Sequence, residues 1–421
     1  MEECVQWDPL FFEEFAKTGN LLSQSLGPLS QYRLTERPDD FKKLLEPSRE
    51  FAKNHVFLAL IAKREGKPVG RILLTFRVRE SRGEAVAAGW FDSENNVEVA
   101  QALFERAQNW AAQIGVNEIR TPIQGSFFHG YRMLLRRITS TGPVSSVSTQ
   151  GQKPFFGEPL HPPHHAALMQ ACGFQSSGLW HTVQISVKQS WEQFSSIFRK
   201  FFEQQGSLGN RRLKAAAGAP LRVRKVDLTH WESELLQLHT LLSESYRKMP
   251  EFEPIPAAEF VEAYRDFRLL IHRHLFFFLE NQDHNPAAFV VSFMDPLPSL
   301  RLIDRAKDWS FWGSKVIRPI ACLWALFRLR YPYFRRMLVV YIGKVERPDL
   351  SVKGVTGLLG YQLTWNALIH LCPGALICYL AEDSPTYRSL PPHLPRISEY
   401  GMFRKSWSST EATVPNSGAH R

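Results

Sequence analysis

Residues 337–371 read MLVVYIGKVE, then RPDLSVK, then GVTGLLGYQLTWNALIHL. The first segment is an apolar, β-branched run, short enough for a buried strand. Arg347, Pro348 and Asp349 break it. Gly354-Val355-Thr356-Gly357 then opens a segment in which Val355, Leu358, Leu359, Leu363 and Leu368 recur at helical spacing. A strand, a glycine-bearing turn and a helix start present a concave row of backbone N–H groups. Such a row, aided by the positive end of the helix dipole, suits a phosphate. The spacing matches neither Gly-x-x-x-x-Gly-Lys-Ser/Thr nor Gly-x-Gly-x-x-Gly, so a tight turn without a ligand is the competing reading.

Working outward, the chain of 421 residues is long enough for two or three domains. Its 44% hydrophobic and 22% charged residues are ordinary for a soluble globular protein. A formal charge of +10 favours anionic partners, such as phosphates, nucleic acid or a membrane surface, without choosing among them. Cys4, Cys172, Cys322, Cys372 and Cys378 are scattered and form no Cys-x-x-Cys pair, which argues against a disulfide framework or a zinc knuckle. A reducing cytoplasm fits best. MEECVQWDPLFFEEF at the start is acidic, unlike a secretory signal. No window approaches the ~18 uninterrupted apolar residues of a spanning helix.

From the start of the chain, residues 1–50 read as helical and mixed. HVFLALIAKREGKPVGRILLTFRV reads as a hairpin, Val56 to Ala62 and Val69 to Val78. Ala85 to Phe91 is a third strand. Asp92-Ser93 is expected to cap a helix from Asn96 to Ile114, with Val116 to Ile123 as a further strand. The order recurs later: strand pair 275–280 and 287–294, the strand-loop-helix of the opening, and a strand from Ala375 to Leu380. Two copies of one α/β unit are therefore expected, residues 1–188 and 221–405, joined by a linker helix and basic linker at 189–220. A polar tail at 406–421 is expected to be disordered.

The loop at 351–357 resembles the pyrophosphate loop of the GNAT acyltransferases, in which a basic or amide residue precedes two spaced small residues. Ser351 stands where Gln or Arg is usual; Gly354 fits; Thr356 stands where Gly or Ala is usual. A firmer resemblance lies in the first half. KPVGRILLTF followed by GWFDSENNVEVAQALFERAQNWAAQIGVNEIRTPI is similar to a bacterial family of tandem GNAT-like proteins. The shared positions are Gly70-Arg71, Gly89-Trp90-Phe91, Asp92/Glu98 and Thr121-Pro122. The proline-rich stretch from Gly157 to Phe174, and FEPIPAAEF, PLPSLRLI, WGSKVI and AEDSPTYR, fall in that family's order. The resemblance implies two GNAT-like (acyl-CoA N-acyltransferase) units in tandem, each a mixed twisted sheet flanked by helices. It also implies a splay near the middle of the sheet where acetyl-CoA or another acyl-CoA inserts.

The copies differ where function would show. Asp92-Ser93-Glu94 offers no glycine turn, and its carboxylates would repel a pyrophosphate. The first copy is therefore expected to lack a cofactor. In the second, the resemblance implies that Ile342 and Gly343 pair with the pantetheine arm. The N–H groups of Val352, Lys353, Gly354, Val355, Thr356 and Gly357 would face the pyrophosphate, with the Lys353 charge beside them. Acyl transfer to an amine needs a proton acceptor, donors for the carbonyl oxygen and an acid for the thiolate. Glu382, Asp383 and Tyr387 are the candidates; Ser384 takes the place of the family's Asn, and Tyr400 is a second phenol within reach. The competing reading makes Asp383-Ser384 a helix cap before Pro385.

His161, His164 and His165 lack a carboxylate or thiol partner at metal-ligand spacing, so no metal is expected. IRPIACLWALFRLRYPYFRRM mixes aromatics with arginine, and reads as core on one side and basic on the other ahead of a membrane or nucleic-acid surface. The expected function is acyl-CoA-dependent N-acyl transfer to a small-molecule or peptide amine. The alternatives are a non-catalytic tandem scaffold and, third, a tRNA-dependent aminoacyltransferase.

Overall fold

A computed structural model describes residues 1–78, 84–139, 142–145, 153–186, 188, 191–192, 213–214, 220–249, 252–281, 283–305, 317–330, 335–345, 355–390 and 394–408. The first half runs β1 (Glu2–Cys4), α1 (Pro9–Leu22), α2 (Pro38–Leu45), α3 (Glu50–Asn54), β2 (His55–Arg64), β3 (Lys67–Arg77), β4 (Val86–Ser93), α4 (Val97–Gln113) and β5 (Glu118–Thr121). It continues through β6 (Met133–Thr139), β7 (Gly142–Ser145), α5 (His165–Ala171) and β8 (Gln175–Ser186). The second half repeats the plan: β9 (Leu213–Lys214), β10 (Pro220–Lys225), α6 (Trp231–Ser245), α7 (Ala257–Tyr264), β11 (Phe276–Glu280) and β12 (Pro286–Met294). It closes with α8 (Leu297–Arg305), α9 (Ile317–Arg330), β13 (Met337–Lys344), α10 (Val355–Ile369), β14 (Gly374–Ala381), α11 (Pro385–Ser389) and β15 (Arg396–Ser406). The architecture is α/β, two tandem units, each a mixed sheet flanked by helices. The linker helix expected from Trp191 lies largely outside the described residues.

Local chemistry explains these elements. β2 and β3 form an antiparallel hairpin from His55↔Arg77 to Arg64↔Lys67. On α4 the side chain of Asn96 accepts from the N–H groups of Glu98 and Val99, at 2.8 and 3.2 Å. The buried face of α4, Val99, Leu103, Ala107 and Trp110, packs on the sheet with Leu58, Leu60, Ile72 and Leu74. Asn96, and not Asp92, is therefore the cap; Asp92 is still in β4 and is held by arginines described below. Ser384 caps α11, accepting from the Tyr387 N–H at 3.1 Å.

The strands join in the order β1-β2-β3-β4-β5-β15-β8-β14-β13-β12-β11-β10-β9, with β6 and β7 branching from β15. The halves thus exchange their last strands. β15, from the second half, pairs with β5 through Phe403↔Thr121. β8, from the first, pairs with β14 through Ala375↔Ile185. β15 and β8 pair with each other between them. Trp180, Tyr400 and Met402, each 1% exposed or less, pack at this junction with Ile123, Leu134 and Ala381. Burial of such large apolar groups stabilises a structure by about 1.5–3 kcal/mol per side chain, so the junction is a core and not a loose contact.

Candidate functional site

Among the described residues each half contains one parallel strand pair, and in each the pairing is short. β4 and β5 are in register only at Val86↔Ile119 and Ala87↔Arg120. β13 and β14 are in register only from Met337↔Ala375 to Val339↔Ile377. Beyond Val339 and Ile377, β13 and β14 part.

In the first half the chain after β5 stays against β4 past Ala87. The N–H of Ile123 donates to the carbonyl of Ala88 at 2.8 Å. A Cβ on Gly89 would stand 2.3 Å from the Ile123 oxygen and 2.7 Å from the Gln124 Cα. Only glycine admits that crossing. Further along β4, the fully buried Arg71 guanidinium donates to Asp92 Oδ2 at 2.9 and 2.6 Å and to the Phe15 carbonyl at 2.8 Å. Arg33 donates to both Asp92 oxygens at 3.3 Å. Glu36 completes the cluster at 2.7 Å from Arg71. Burial opposes ionisation of Asp92, but Arg33 and Arg71 hold its carboxyl well below the usual range.

In the second half the space past Val339 and Ile377 is part of a cavity of about 510 Å³. Val340, Tyr341 and Ile342 line it from β13; Cys378, Tyr379 and Leu380 line it from β14. Trp90, Phe127, Tyr131 and Arg132 of the first half line it from across, so both halves build one site. Backbone geometry singles out the same place. Six non-glycine residues among those described have positive φ. Glu65, His284 and Leu371 of these sit at turns or a helix end, whereas Trp90 (45°), Arg132 (75°) and Tyr379 (61°) line the cavity. Bulky side chains adopt this conformation only when their surroundings impose it, and such strain gathers at functional sites.

Six tyrosines line the cavity: Tyr32, Tyr131, Tyr246, Tyr264, Tyr341 and Tyr379. Burial pushes the hydroxyls of Tyr246, Tyr264, Tyr341 and Tyr379 up, so all are protonated at neutral pH. Tyr264 donates to the Phe128 carbonyl at 2.8 Å and lies 2.7 Å from the Tyr341 hydroxyl. Since Tyr264 has one proton, Tyr341 donates to it, and the Tyr341 oxygen keeps acceptor capacity. Tyr246 donates to the Ile342 carbonyl at 3.5 Å, and Tyr379 donates to the Gly157 carbonyl. His161 also lines the cavity; burial pushes its imidazole down to about 4, and its Nδ1 is buried without a hydrogen-bond partner. At neutral pH that ring is unprotonated.

The residues expected from sequence divide. Ile342 lines the cavity. Gly343 does not; a Cβ there would come within 2.6 Å of the Phe289 ring, so its glycine serves packing. Val352, Lys353 and Gly354 lie outside the described residues. Val355 is buried at the start of α10, followed by Thr356 and Gly357 within the helix. After β14, Ser384 at the cap of α11 and Thr386 within it line the cavity, while Glu382, Asp383 and Tyr387 do not. Glu382 and Asp383 are exposed, with Glu382 3.7 Å from His181. Tyr387 stacks on the His181 ring, centroids 5.1 Å apart. Tyr400 is buried in the junction, bonded to Glu158 and Thr182 at 3.0 and 3.1 Å. Sequence reasoning did not single out Arg132, Tyr341 or Tyr379. His161 was noticed only as part of a histidine cluster. Among the described residues no group of three or more His, Cys, Asp or Glu side chains stands close enough to hold a metal ion. No helix among them is long and apolar enough to cross a membrane.

No family model matches the chain, and no curated protein sequence does. Solved structures do. A tandem GNAT protein from the clavulanic acid biosynthesis pathway matches over 96% of this chain and 98% of its own, with TM-score 0.48 and 9% identity. A GCN5-related N-acetyltransferase from Sphaerobacter thermophilus matches over 96% and 95%, with TM-score 0.43 and 8% identity. The N-myristoyltransferase of Saccharomyces cerevisiae with bound myristoyl-CoA matches over 96% and 78%, with TM-score 0.42 and 9% identity. At these identities the likeness is one of overall fold.

Proposed function

We propose that the protein is an acyl-CoA-dependent N-acyltransferase whose acyl donor enters between β13 and β14 and whose amine acceptor occupies the cavity between the halves. The observation that carries this reading is the parting of β13 and β14 past Val339 and Ile377 into a cavity walled by both halves. Along Val340–Lys344 no strand among the described residues lies beside the edge turned from β12, so an extended pantetheine chain can run along it. In the reaction the amine nitrogen bonds to the thioester carbon and the carbon–sulfur bond breaks. The amine loses a proton and the thiolate gains one. By their place on the cavity wall, His161 is assigned the first transfer and the phenol of Tyr379 the second. Glu382, Asp383 and Tyr387 are chain neighbours of the cavity-lining Ser384 and Thr386, and remain in the proposal as groups beside the site. The loop at 352–357 is proposed to hold the pyrophosphate.

Calorimetry with acetyl-CoA and longer acyl-CoAs tests the reading. Saturable binding at one site per chain is expected, with release of free thiol when an accepted amine is added. Absence of binding at millimolar acyl-CoA contradicts it and leaves a tandem scaffold.

A further inference from the structure

The charges on the cavity wall do not balance. Glu36, Asp92 and Glu158 are its described carboxylates, and each is already held. Asp92 and Glu36 belong to Arg33 and Arg71. Glu158 bonds Arg137, and its other oxygen accepts from Ser398 and Tyr400 at 2.9 and 3.0 Å. Of the two guanidiniums on the wall, Arg33 is therefore neutralised. Arg132 is not: among the described residues no carboxylate lies in ion-pair range of it, although its residue is only 6% exposed. Its Nε is buried without a hydrogen-bond partner.

A buried cation without a counter-ion is costly, and proteins retain one where a ligand completes it. The surroundings say which kind. The Tyr131 ring centroid lies 3.5 Å from the Arg132 Cζ and that of Tyr379 3.9 Å. Both rings lie within cation–π distance of the guanidinium and shield it from water, and a guanidinium so desolvated pairs well with a carboxylate, which it can bind through two parallel bonds. A single guanidinium, with no second free cation on the described wall, suits one negative charge better than a diphosphate. Further rings stand beside these two: Phe127 stacks on Tyr131 at 4.1 Å between centroids, and the Phe155 centroid lies 5.8 Å from that of Tyr379.

We propose that Arg132 receives the carboxylate of the acceptor, which is thus an amino acid-like amine with a free carboxylate and a bulky apolar body. This rests on the acyltransferase reading for the word acceptor, but the carboxylate site stands on its own geometry. The carboxylate is a handle and takes no part in the bond changes.

The test uses the full chain and two matched pairs of probes: L-phenylalanine with L-phenylalaninamide, and 3-phenylpropionate with 3-phenylpropionamide. Binding is measured by calorimetry, and acetyl-CoA binding is measured on the same samples. Each acid is expected to bind about tenfold or more tighter than its amide, as befits a charge-assisted bidentate contact. Arg132→Met should erase that preference, and Arg132→Lys should keep part of it. Equal binding of acid and amide by the unaltered protein, or no binding of either pair, overturns the proposal and needs no variant to fold. Acid preference without acetyl-CoA binding removes the acyltransferase reading and leaves this site. The reverse result does the opposite.

Discussion

The gap between β4 and β5 and the gap between β13 and β14 begin alike and end differently. Both start where a short parallel pairing stops. In the first half the backbone of Ile123 and Gln124 lies across Gly89, and Asp92 beyond it is locked to Arg33 and Arg71. In the second half the matching space is a cavity. The first copy is bonded across at Ala88 and Gly89, and its Trp90, Asp92 and Gln124 beyond that crossing form the far wall of the cavity that opens between β13 and β14. The difference teaches that in a duplicated unit the place of the site is found by asking which copy has filled itself.

If the first gap is structural, altering it should cost stability. Arg71→Met leaves Asp92 and Glu36 short of a buried counter-ion and should destabilise the protein by about 3–5 kcal/mol in urea unfolding. Retention of full stability would break the comparison. Gly89→Ala places a methyl against fixed backbone and should cost about 1–3 kcal/mol or more. Acid should also loosen the first half. Burial pushes His55 and His165 down to about 3. Below the unfolded-state value of about 6.5, the unfolded chain takes up protons that these buried rings refuse. Stability therefore falls as pH drops from about 6.5 toward 3, by up to about 1.4 kcal/mol per pH unit for each ring, and is retained above that range. A melting temperature flat between pH 7 and 4 would contradict this. The second gap should respond in the opposite sense. Val340→Phe, which adds bulk to the open side, should change stability by under about 1 kcal/mol. It should also weaken acyl-CoA binding about tenfold or more, read by calorimetry.

Much of this was legible in the residues. The hairpin of β2 and β3, the face of α4, and the β13 and α10 pair carry plain periodicity and turn chemistry. β8 and β15 went unread. Their central positions carry buried polar residues, His181, Thr182 and Ser398, each 1% exposed or less, and Gly178 and Gly401 interrupt them. No apolar run or clean alternation survives. Their exchange between halves is a long-range pairing that no local pattern encodes. Asp92 was read as a helix cap because it precedes a helix; the arginine that captures it lies two strands' length earlier, on β3. Arg132 carried no signal at all, since its meaning comes from Tyr379 in the other half and from the carboxylates that other arginines occupy.

The most direct measurement is a crystal structure of the protein with a non-hydrolysable acyl-CoA analogue. The account predicts the acyl–pantetheine chain between Val340–Ile342 and Cys378–Leu380, with the space between β4 and β5 still closed over Gly89. Ligand lodged between β4 and β5, or an unchanged empty cavity at millimolar analogue, would contradict it.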